Sequence, residues 1–223
     1  EDRPYWWVHE TKIYSSLTRP TLYQTERTCE TSPGSPSGHL MVASSFLYVM
    51  LLASEKLIVL YCHRYRRELR YLARTIFAMA LSLLAVSRMY FATHFFHQCV
   101  FGAVLGICIS ETFIFTKFTD TVQLTEKSKW FNIACLMAAI VTSIFWLHKL
   151  ITGNPMASVQ LAFKHCNDPL YPKPETTVIF SSIRTIAKVA GIWMAAPLKV
   201  IAPSELRFNY FKSIPVTACL VFA

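Results

Sequence analysis

Two histidines and two arginines stand where a phosphoryl-transfer site would need them. His39 follows the turn residues 36–38 at the start of a long apolar segment, and Arg88 and His94 flank the gap between two later apolar segments. Arginine presents a planar set of N–H donors that fits phosphoryl oxygens, and histidine serves as nucleophile, acid or base near neutral pH. A second arginine, Arg3, lies at the start of the chain. Together these residues predict a site for transferring a phosphoryl group.

The elements that must position these side chains are membrane helices. The chain has 223 residues, of which 53% are hydrophobic, and this is too apolar for an ordinary soluble domain. A membrane helix needs ~20 apolar residues, and five segments have or approach this length. They are residues 39–62, 71–87, 94–117, 129–148 and 175–197, and a sixth segment begins near residue 210. The sequence therefore predicts an all-α, polytopic membrane helix bundle.

The ends of the chain and its length complete the predicted organisation. The sequence begins at Glu1 rather than at a methionine, and it ends in the apolar run 216–223. We therefore expect a fragment truncated at both ends. We expect residues 1–223 to form a single membrane-embedded domain, with about five complete transmembrane helices and a partial sixth.

The charge pattern predicts orientation and argues against a nucleic-acid partner. The formal net charge is +9, but the basic residues lie at the edges of apolar segments rather than along one face, and no nucleic-acid motif is present. Four arginines fall within the short loop 62–71, which predicts that this loop is cytoplasmic. Because each helix crosses the bilayer, Arg3, His39, Arg88 and His94 would then share the lumenal side. The lipid bilayer is thus the first expected partner.

The residues in and around the candidate site resemble the sequence motifs of a known family. Arg3-Pro4, then Pro36-Ser37-Gly38-His39, then Ser87-Arg88 with His94 resembles the type 2 phosphatidic acid phosphatase superfamily. The segments RPYWWV, CET with PGSPSGH, and ATHFFHQ are similar to the glucose-6-phosphatase catalytic subunits. In the wider superfamily an aspartate usually stands four residues after the second histidine. Here that residue is Gln98, as in the glucose-6-phosphatase branch.

The resemblance implies a reaction and a role for each site residue. His94 would be the nucleophile that forms a phosphohistidine, and His39 would protonate the leaving sugar oxygen and then activate water. Arg3 and Arg88 would bind the phosphate, and the start of the helix at Ser37 and Gly38 would direct backbone N–H groups toward it. The family also has a lysine upstream of residue 1. We expect no metal ion and no cofactor, because the arginines neutralise the charge and no carboxylate cluster offers Mg²⁺ ligands.

The resemblance further implies a substrate and a place in the cell. The expected reaction is hydrolysis of glucose 6-phosphate to glucose and phosphate, as in gluconeogenesis, in the endoplasmic reticulum membrane with the site on the lumenal side. Whether a glucose-6-phosphate transporter is a partner stays open. Two other functions stay open. The protein could be a lipid phosphate phosphatase, or a non-catalytic membrane protein that binds phosphate or acts as a scaffold. The residues PGSPSGH and Gln98 favour the sugar phosphatase over the lipid enzyme.

Other side chains carry secondary expectations. Cys29 and Cys166 would share an oxidising side, where a disulfide can form. The aromatic residues 5–7 suit the aromatic belt at a membrane surface. Lys188 and Glu111 have similar estimated depths in their helices, so we expect them to pair. The role of Arg184 and that of His97, which is either a supporting residue of the site or interfacial, are left open.

Overall fold

The computed structural model describes residues 1–15, 17–116, 127–154 and 156–195, and these residues form helices and loops without any strand. A single bridge pair joins Glu30 and Lys173. The elements in chain order are α1 (Pro4–Glu10), α2 (Gly38–Tyr61), α3 (Arg66–Tyr90), α4 (Phe96–Phe115), α5 (Lys127–Thr152), α6 (Ala157–His165), a 3₁₀ turn (Pro174–Thr176) and α7 (Val178–Ala195). The predicted all-α class is therefore confirmed.

Four of the described helices, α2, α3, α4 and α5, are long and apolar enough to cross a membrane. They correspond to the first four predicted segments, so the protein is a multi-pass membrane protein. The fifth predicted segment forms α7, a helix that is not among those four, and its membrane span stays a prediction. The predicted sixth segment near residue 210 lies outside the described residues.

Helix α2 packs against both α3 and α4, and its contact with α4 is close because small residues line it. An added Cβ at Gly102 would lie 2.5 Å from the carbonyl oxygen of Ser37, and one at Gly106 would collide with Met41 and Ser44. Glycine lets two helix backbones approach in this way. This contact fixes the start of α2 against the start of α4.

The charges that interrupt the first apolar segment are compensated within the bundle. The Glu55 carboxylate of α2 pairs with Arg70 and Arg74 of α3, at 3.0 and 2.6 Å. Helix α3 begins at Arg66, earlier than predicted, because its polar first turns belong to the same helix as the apolar part. We refer to Glu55, Arg70 and Arg74 as the distal trio.

The expectation of an aromatic belt at the start of the chain is wrong for two of its three residues. Tyr5 and Trp6 are 0% and 1% exposed and belong to a buried cluster with Cys29 and Ala162. Helix α1 packs against α6 beside this cluster. Aromatic residues beside a membrane helix thus serve here as the core of a small extramembrane layer.

The predicted Lys188–Glu111 pair is also wrong. Within the described residues, α7 contacts α5 and has no contact with α4, which carries Glu111. The ring of Trp193 on α7 lies 5.4 Å from that of Phe131 on α5, while the Glu111 carboxylate accepts a hydrogen bond from the hydroxyl of Tyr48. Similar depth along two helix axes does not make the helices neighbours.

Candidate active site

The four residues singled out by their spacing meet at one end of the α2–α4 bundle. Arg88 lies in the last turn of α3, His94 precedes α4, and His39 lies in the first turn of α2. Because successive helices run in opposite directions, these three helix ends face the same side. Arg3 reaches them from the residue before α1. Three of the four side chains are buried, and only His39 is open to solvent.

The connection between α3 and α4 sets the position of His94. Ala92 adopts a left-handed conformation with φ of 52°, which is uncommon for a residue with a Cβ. The turn is held by Thr93, whose backbone N–H and side-chain hydroxyl both donate to the carbonyl of Arg88, at 3.1 and 2.7 Å. A short chain reversal thus ties the histidine to the arginine of the motif.

The hydrogen bonds of His94 define which ring nitrogen can react. Its Nδ1 lies 2.7 Å from the carbonyl oxygen of Gly34. A carbonyl only accepts, so Nδ1 carries the hydrogen and the lone pair is left on Nε2. Nε2 lies 3.4 Å from the Nη1 of Arg3 and 4.0 Å from a carboxylate oxygen of Glu30. The unprotonated ring nitrogen therefore faces the charged centre of the site.

His94 is kept neutral by its surroundings. Burial, and then the charge of Arg3, lower the pKa of the imidazole to about 4, although Glu30 and the Gly34 carbonyl act in the opposite direction. A neutral ring retains the lone pair that nucleophilic attack requires. The imidazole is thus neutral near neutral pH.

Arg3 is held by a dense set of acceptors. Its Nε donates to the carbonyl of Ser32 at 2.7 Å, and its Nη2 donates to the hydroxyl of Ser32 and the carbonyl of Pro33 at 2.8 and 3.2 Å. Its Nη1 donates to the carbonyl of Thr93 at 3.0 Å and pairs with Glu30 at 2.9 Å. The guanidinium therefore links the loop before α2 to the turn before α4.

Glu30 lies at the centre of the site, and the sequence reasoning gave it no role. One oxygen pairs with Arg3 and the other with the Nη2 of Arg88. Burial alone would raise the pKa of this carboxyl, but the charges of Arg3 and Arg88 outweigh burial and hold the pKa below its ordinary value. In the sequence, Glu30 is marked only by its place in the CET segment 29–31, which is one of the segments similar to the glucose-6-phosphatase catalytic subunits. We refer to Glu30, Arg3 and Arg88 as the site trio.

His39 stands at the open edge of the site. Its side chain is 56% exposed, and its Nδ1 lies 3.9 Å from Glu30. It is thus separate from the buried His94 and accessible from solvent.

The first turn of α2 is built differently from the expectation. The backbone N–H of Ser37 donates to the carbonyl of Gln98 at 3.1 Å, so it is not free to bind an anion. The Ser37 hydroxyl, in contrast, is fully buried and without a hydrogen-bond partner among the described residues. At Gly38 an added Cβ would meet no atom within 4 Å, so open space adjoins this residue.

Gln98 connects three segments around the site. Its side-chain oxygen accepts from the N–H of Phe95 at 3.1 Å, and its side-chain nitrogen donates to the carbonyl of Asp2 at 2.8 Å. Its backbone carbonyl accepts the hydrogen bond from the N–H of Ser37. The residue therefore ties the start of the chain to both α2 and α4. His97, by contrast, is exposed and contacts Glu1 at 3.2 Å, away from the buried centre.

The loop that carries Glu30 is anchored to the C-terminal half of the chain. Cys29 and Cys166 form a disulfide, with their Cα atoms 6.2 Å apart. On the other side of Glu30, the N–H of Thr31 donates to the hydroxyl of Thr176 at 2.9 Å. The backbone at Glu30 is thus held on both sides. Within the described ranges, no group of three or more His, Cys, Asp or Glu side chains could hold a metal ion.

Comparison with known proteins identifies the family of this site. The model of the PAP2 superfamily matches residues 1–123, which is more than half of the chain. The chain belongs to the PAP2 superfamily. Its motif residues Arg3, His39, Arg88 and His94 all lie within the matched region, so the superfamily resemblance stated from them is confirmed.

Curated relatives point to one branch of the PAP2 superfamily. The chain is 31% identical to human glucose-6-phosphatase 2 over 86% of this chain and 55% of that protein. It is 30% identical to the Bos taurus glucose-6-phosphatase catalytic subunit 1, over 86% and 54%. It is 31% identical to that of Haplochromis xenognathus, over 86% and 69%. The chain thus spans about half the length of the first two relatives. No solved structure matches it.

Proposed function

We propose that the protein hydrolyses glucose 6-phosphate to glucose and phosphate through a phosphohistidine at His94. The observation that carries the proposal is the buried Nε2 of His94, which bears a lone pair and no hydrogen and lies 3.4 Å from the guanidinium of Arg3. Arg88 is joined to Arg3 through Glu30. The relatives named above are glucose-6-phosphatases, which supports the choice of a sugar phosphate. Because the chain spans about half of those proteins, the experiments below use the full-length protein.

The proposed reaction has two steps at one phosphorus. The lone pair of Nε2 on His94 attacks phosphorus, the bond to the sugar O6 breaks, and His39 gives that oxygen a proton. His39, now neutral, takes a proton from water as its oxygen attacks the phosphohistidine, and the bond to Nε2 breaks to release phosphate. Arg88 and Arg3 stabilise the charge on the phosphoryl oxygens in both steps, as fixed donors do in phosphoryl transfer.

Rapid-quench labelling with ³²P-labelled glucose 6-phosphate tests the nucleophile. We expect an acid-labile, base-stable adduct on the wild-type protein and none on the His94→Ala variant. His97→Ala is the matched control, because this histidine is three residues away and exposed, and it should label normally. The absence of an adduct on the wild type, or normal labelling of His94→Ala, would refute the nucleophile assignment.

A panel of substrates tests the substrate class in the same microsomes. We expect turnover of sugar phosphates and little turnover of phosphatidic acid. Preference for the lipid would make the protein a lipid phosphate phosphatase. Phosphate binding without turnover of either class would make it a binding protein.

We further propose that the protein lies in the endoplasmic reticulum membrane with the site facing the lumen. The disulfide between Cys29 and Cys166 supports this placement, because disulfides persist in oxidising compartments. The arginine-rich segment 62–71, which joins α2 to α3 and includes the first turns of α3, supports it as well, because it lies at the opposite end of these helices from the site. A tag inserted at Tyr65 should be cleaved by protease in intact microsomes, and one at Leu17 should be protected. The reverse pattern would place the site in the cytosol. If the site faces the lumen, a glucose-6-phosphate transporter is an expected partner of the protein. If the site faces the cytosol, no such partner is expected.

A further inference from the structure

The position of Glu30 is not explained by the reaction proposed above. Its carboxylate bridges the two guanidiniums that would bind a phosphoryl group, and one oxygen lies 4.0 Å from the Nε2 of His94. Reacting atoms stand roughly 3–3.5 Å apart before attack. A phosphorus atom poised for attack by His94 would therefore bring its oxygens into the region that this carboxylate fills.

The donors of Arg3 are fully used in this arrangement. A guanidinium has five N–H donors in a fixed fork. Three of them, on Nε and Nη2, bind Ser32 and Pro33. The two on Nη1 face the Thr93 carbonyl at 3.0 Å and the Nε2 of His94 at 3.4 Å, and the Glu30 carboxylate lies 2.9 Å from the same nitrogen as an ion pair. A phosphoryl oxygen can thus reach an N–H of Arg3 only at Nη1, where it would displace the contacts with Glu30 and His94, because the other acceptors are parts of the fold that hold the loop before α2 and the turn before α4.

Arg88 and Ser37 retain donors for a further ligand. The Nη2 of Arg88 is paired with Glu30, but its Nε is buried without a hydrogen-bond partner among the described residues, as is the hydroxyl of Ser37. A buried polar group without a hydrogen-bond partner destabilises the folded protein. A ligand rich in acceptor oxygens would satisfy both atoms, which a single carboxylate in its present position does not do.

Charge balance makes Glu30 and phosphate alternatives. Leaving two buried guanidiniums without a counterion would cost several kcal/mol, and Glu30 prevents this in the structure. A phosphate monoester carries a charge of about −2 near neutral pH, so beside an ionised Glu30 it would meet direct repulsion. The two anions therefore cannot share the same pair of donors.

We propose that Glu30 is an internal competitor of the phosphoryl group: its carboxylate holds the donors of Arg3 and Arg88 in position and is exchanged for phosphoryl oxygens when the substrate binds. The exchange needs only side-chain rotation. The backbone at Glu30 is fixed by the Cys29–Cys166 disulfide, by the Tyr5 hydroxyl that donates to the Glu30 carbonyl at 2.9 Å, and by the bond between Thr31 and Thr176. This inference deepens the proposed function and assumes that the site binds a phosphate group.

The test measures binding of inorganic phosphate to the full-length protein in detergent, through the dissociation constant and through thermal stabilisation. Glu30→Gln keeps the shape of the side chain and removes its charge. We expect it to bind phosphate at least about tenfold more tightly, a change of roughly 1.4 kcal/mol in binding free energy. Glu10→Gln, on the exposed side of α1, is the matched control and should leave phosphate binding unchanged.

Two measurements keep the test decisive if Glu30→Gln is unstable. Phosphate should then raise the unfolding temperature of Glu30→Gln more than that of the wild type, because at a given concentration a ligand that binds more tightly stabilises the folded protein more. Glu30→Asp shortens the side chain but keeps its charge, and we expect phosphate affinity between those of the wild type and Glu30→Gln. Weaker phosphate binding by both variants would overturn the proposal and make Glu30 a residue that stays on the arginines with phosphate bound.

Binding of phosphate separates this inference from the proposed function. If sugar phosphates are not hydrolysed but phosphate binds more tightly to Glu30→Gln, the proposed hydrolysis is wrong and the proposed competition between Glu30 and phosphate is supported. If sugar phosphates are hydrolysed and Glu30→Gln binds phosphate more weakly, the reaction stands and the competition is wrong.

Discussion

One glutamate with two arginines lies near each end of the α2–α3 pair, and the two trios differ in their surroundings. In the distal trio, the side chains of Arg70 and Arg74 are 39% and 52% exposed. In the site trio, the side chains of Arg3 and Arg88 are 2% and 8% exposed. The residue types are the same, so they cannot by themselves make a reactive site. The two glutamates are similarly buried, at 14% and 11% exposed. The burial of the arginines, the neighbouring His94 and the donors without partners among the described residues therefore distinguish the two ends.

Burial also changes what each trio contributes. A solvent-exposed ion pair contributes only about 0–1 kcal/mol, so the distal trio mainly makes Glu55 tolerable within an apolar helix. A buried pair must be complete, because removing one partner strands a charge. We therefore expect the same substitution to have very different effects at the two ends.

Replacing an arginine by lysine should give the largest difference between the trios. Arg88→Lys keeps the charge but loses the planar donor set, including the Nε that has no partner in the structure. We expect kcat/KM for the sugar phosphate to fall by about 10²-fold or more, as when a fixed donor to a developing charge is lost. Arg74→Lys should stay within about twofold of the wild type, as expected for an exposed pair. Equal losses in both variants would show that the two trios are alike.

Packing beneath the site gives the next effect. Gly102→Ala would place a Cβ 2.5 Å from the carbonyl oxygen of Ser37, a backbone atom that cannot move without shifting the start of α2. We expect a destabilisation of about 1–3 kcal/mol, measured by thermal unfolding in detergent, with a parallel loss of activity. Gly191→Ala on α7 meets no atom within 4 Å and is the control. It should be neutral or stabilising, since alanine favours helix. If Gly102→Ala is as stable as the wild type, then α2 and α4 must lie farther apart than they do in the structure.

The buried histidine predicts a pH dependence of stability. His94 has a pKa of about 4 in the folded protein and one near ~6.5 when unfolded. The unfolded chain thus binds the extra proton first as the pH falls, and folding stability decreases from about pH 6.5 down to about pH 4. We expect a loss of up to about 2 kcal/mol between pH 6.5 and 5 from this group. In His94→Asn the unfolding temperature should fall less over that interval. An identical fall in both proteins would mean that the His94 pKa is not depressed.

The anchoring of the Glu30 loop should give the smallest effect. Thr176→Val removes a hydroxyl that accepts from the N–H of Thr31 and donates to the carbonyl of Lys173 at 2.8 Å. We expect a loss of about 1 kcal/mol in stability and a severalfold change in KM, because the loop holds Glu30. Thr142→Val is the control, since its exposed hydroxyl only bonds its own helix at Ala138. An unchanged KM in Thr176→Val would show that the hydrogen bond between Thr31 and Thr176 does not affect substrate binding at the site.

The sequence by itself determined the helices and most of the site. A bilayer leaves few alternatives to apolar helices of sufficient length, so the first four segments matched α2 to α5 closely. The motif residues His39, Arg88 and His94 fell at helix ends, and alternating helix direction was enough to bring those ends together. Arg3 was placed with them by the same motif.

Only the tertiary structure decided what surrounds those residues. Glu30 entered the site, and Tyr5 and Trp6 became buried, through contacts between a loop, α1 and α6 that are distant in sequence. The expected partner of Lys188 was wrong for the same reason. Depth along a helix can be counted from residue numbers, whereas the choice of neighbour depends on which surfaces fit together, and no local periodicity encodes that.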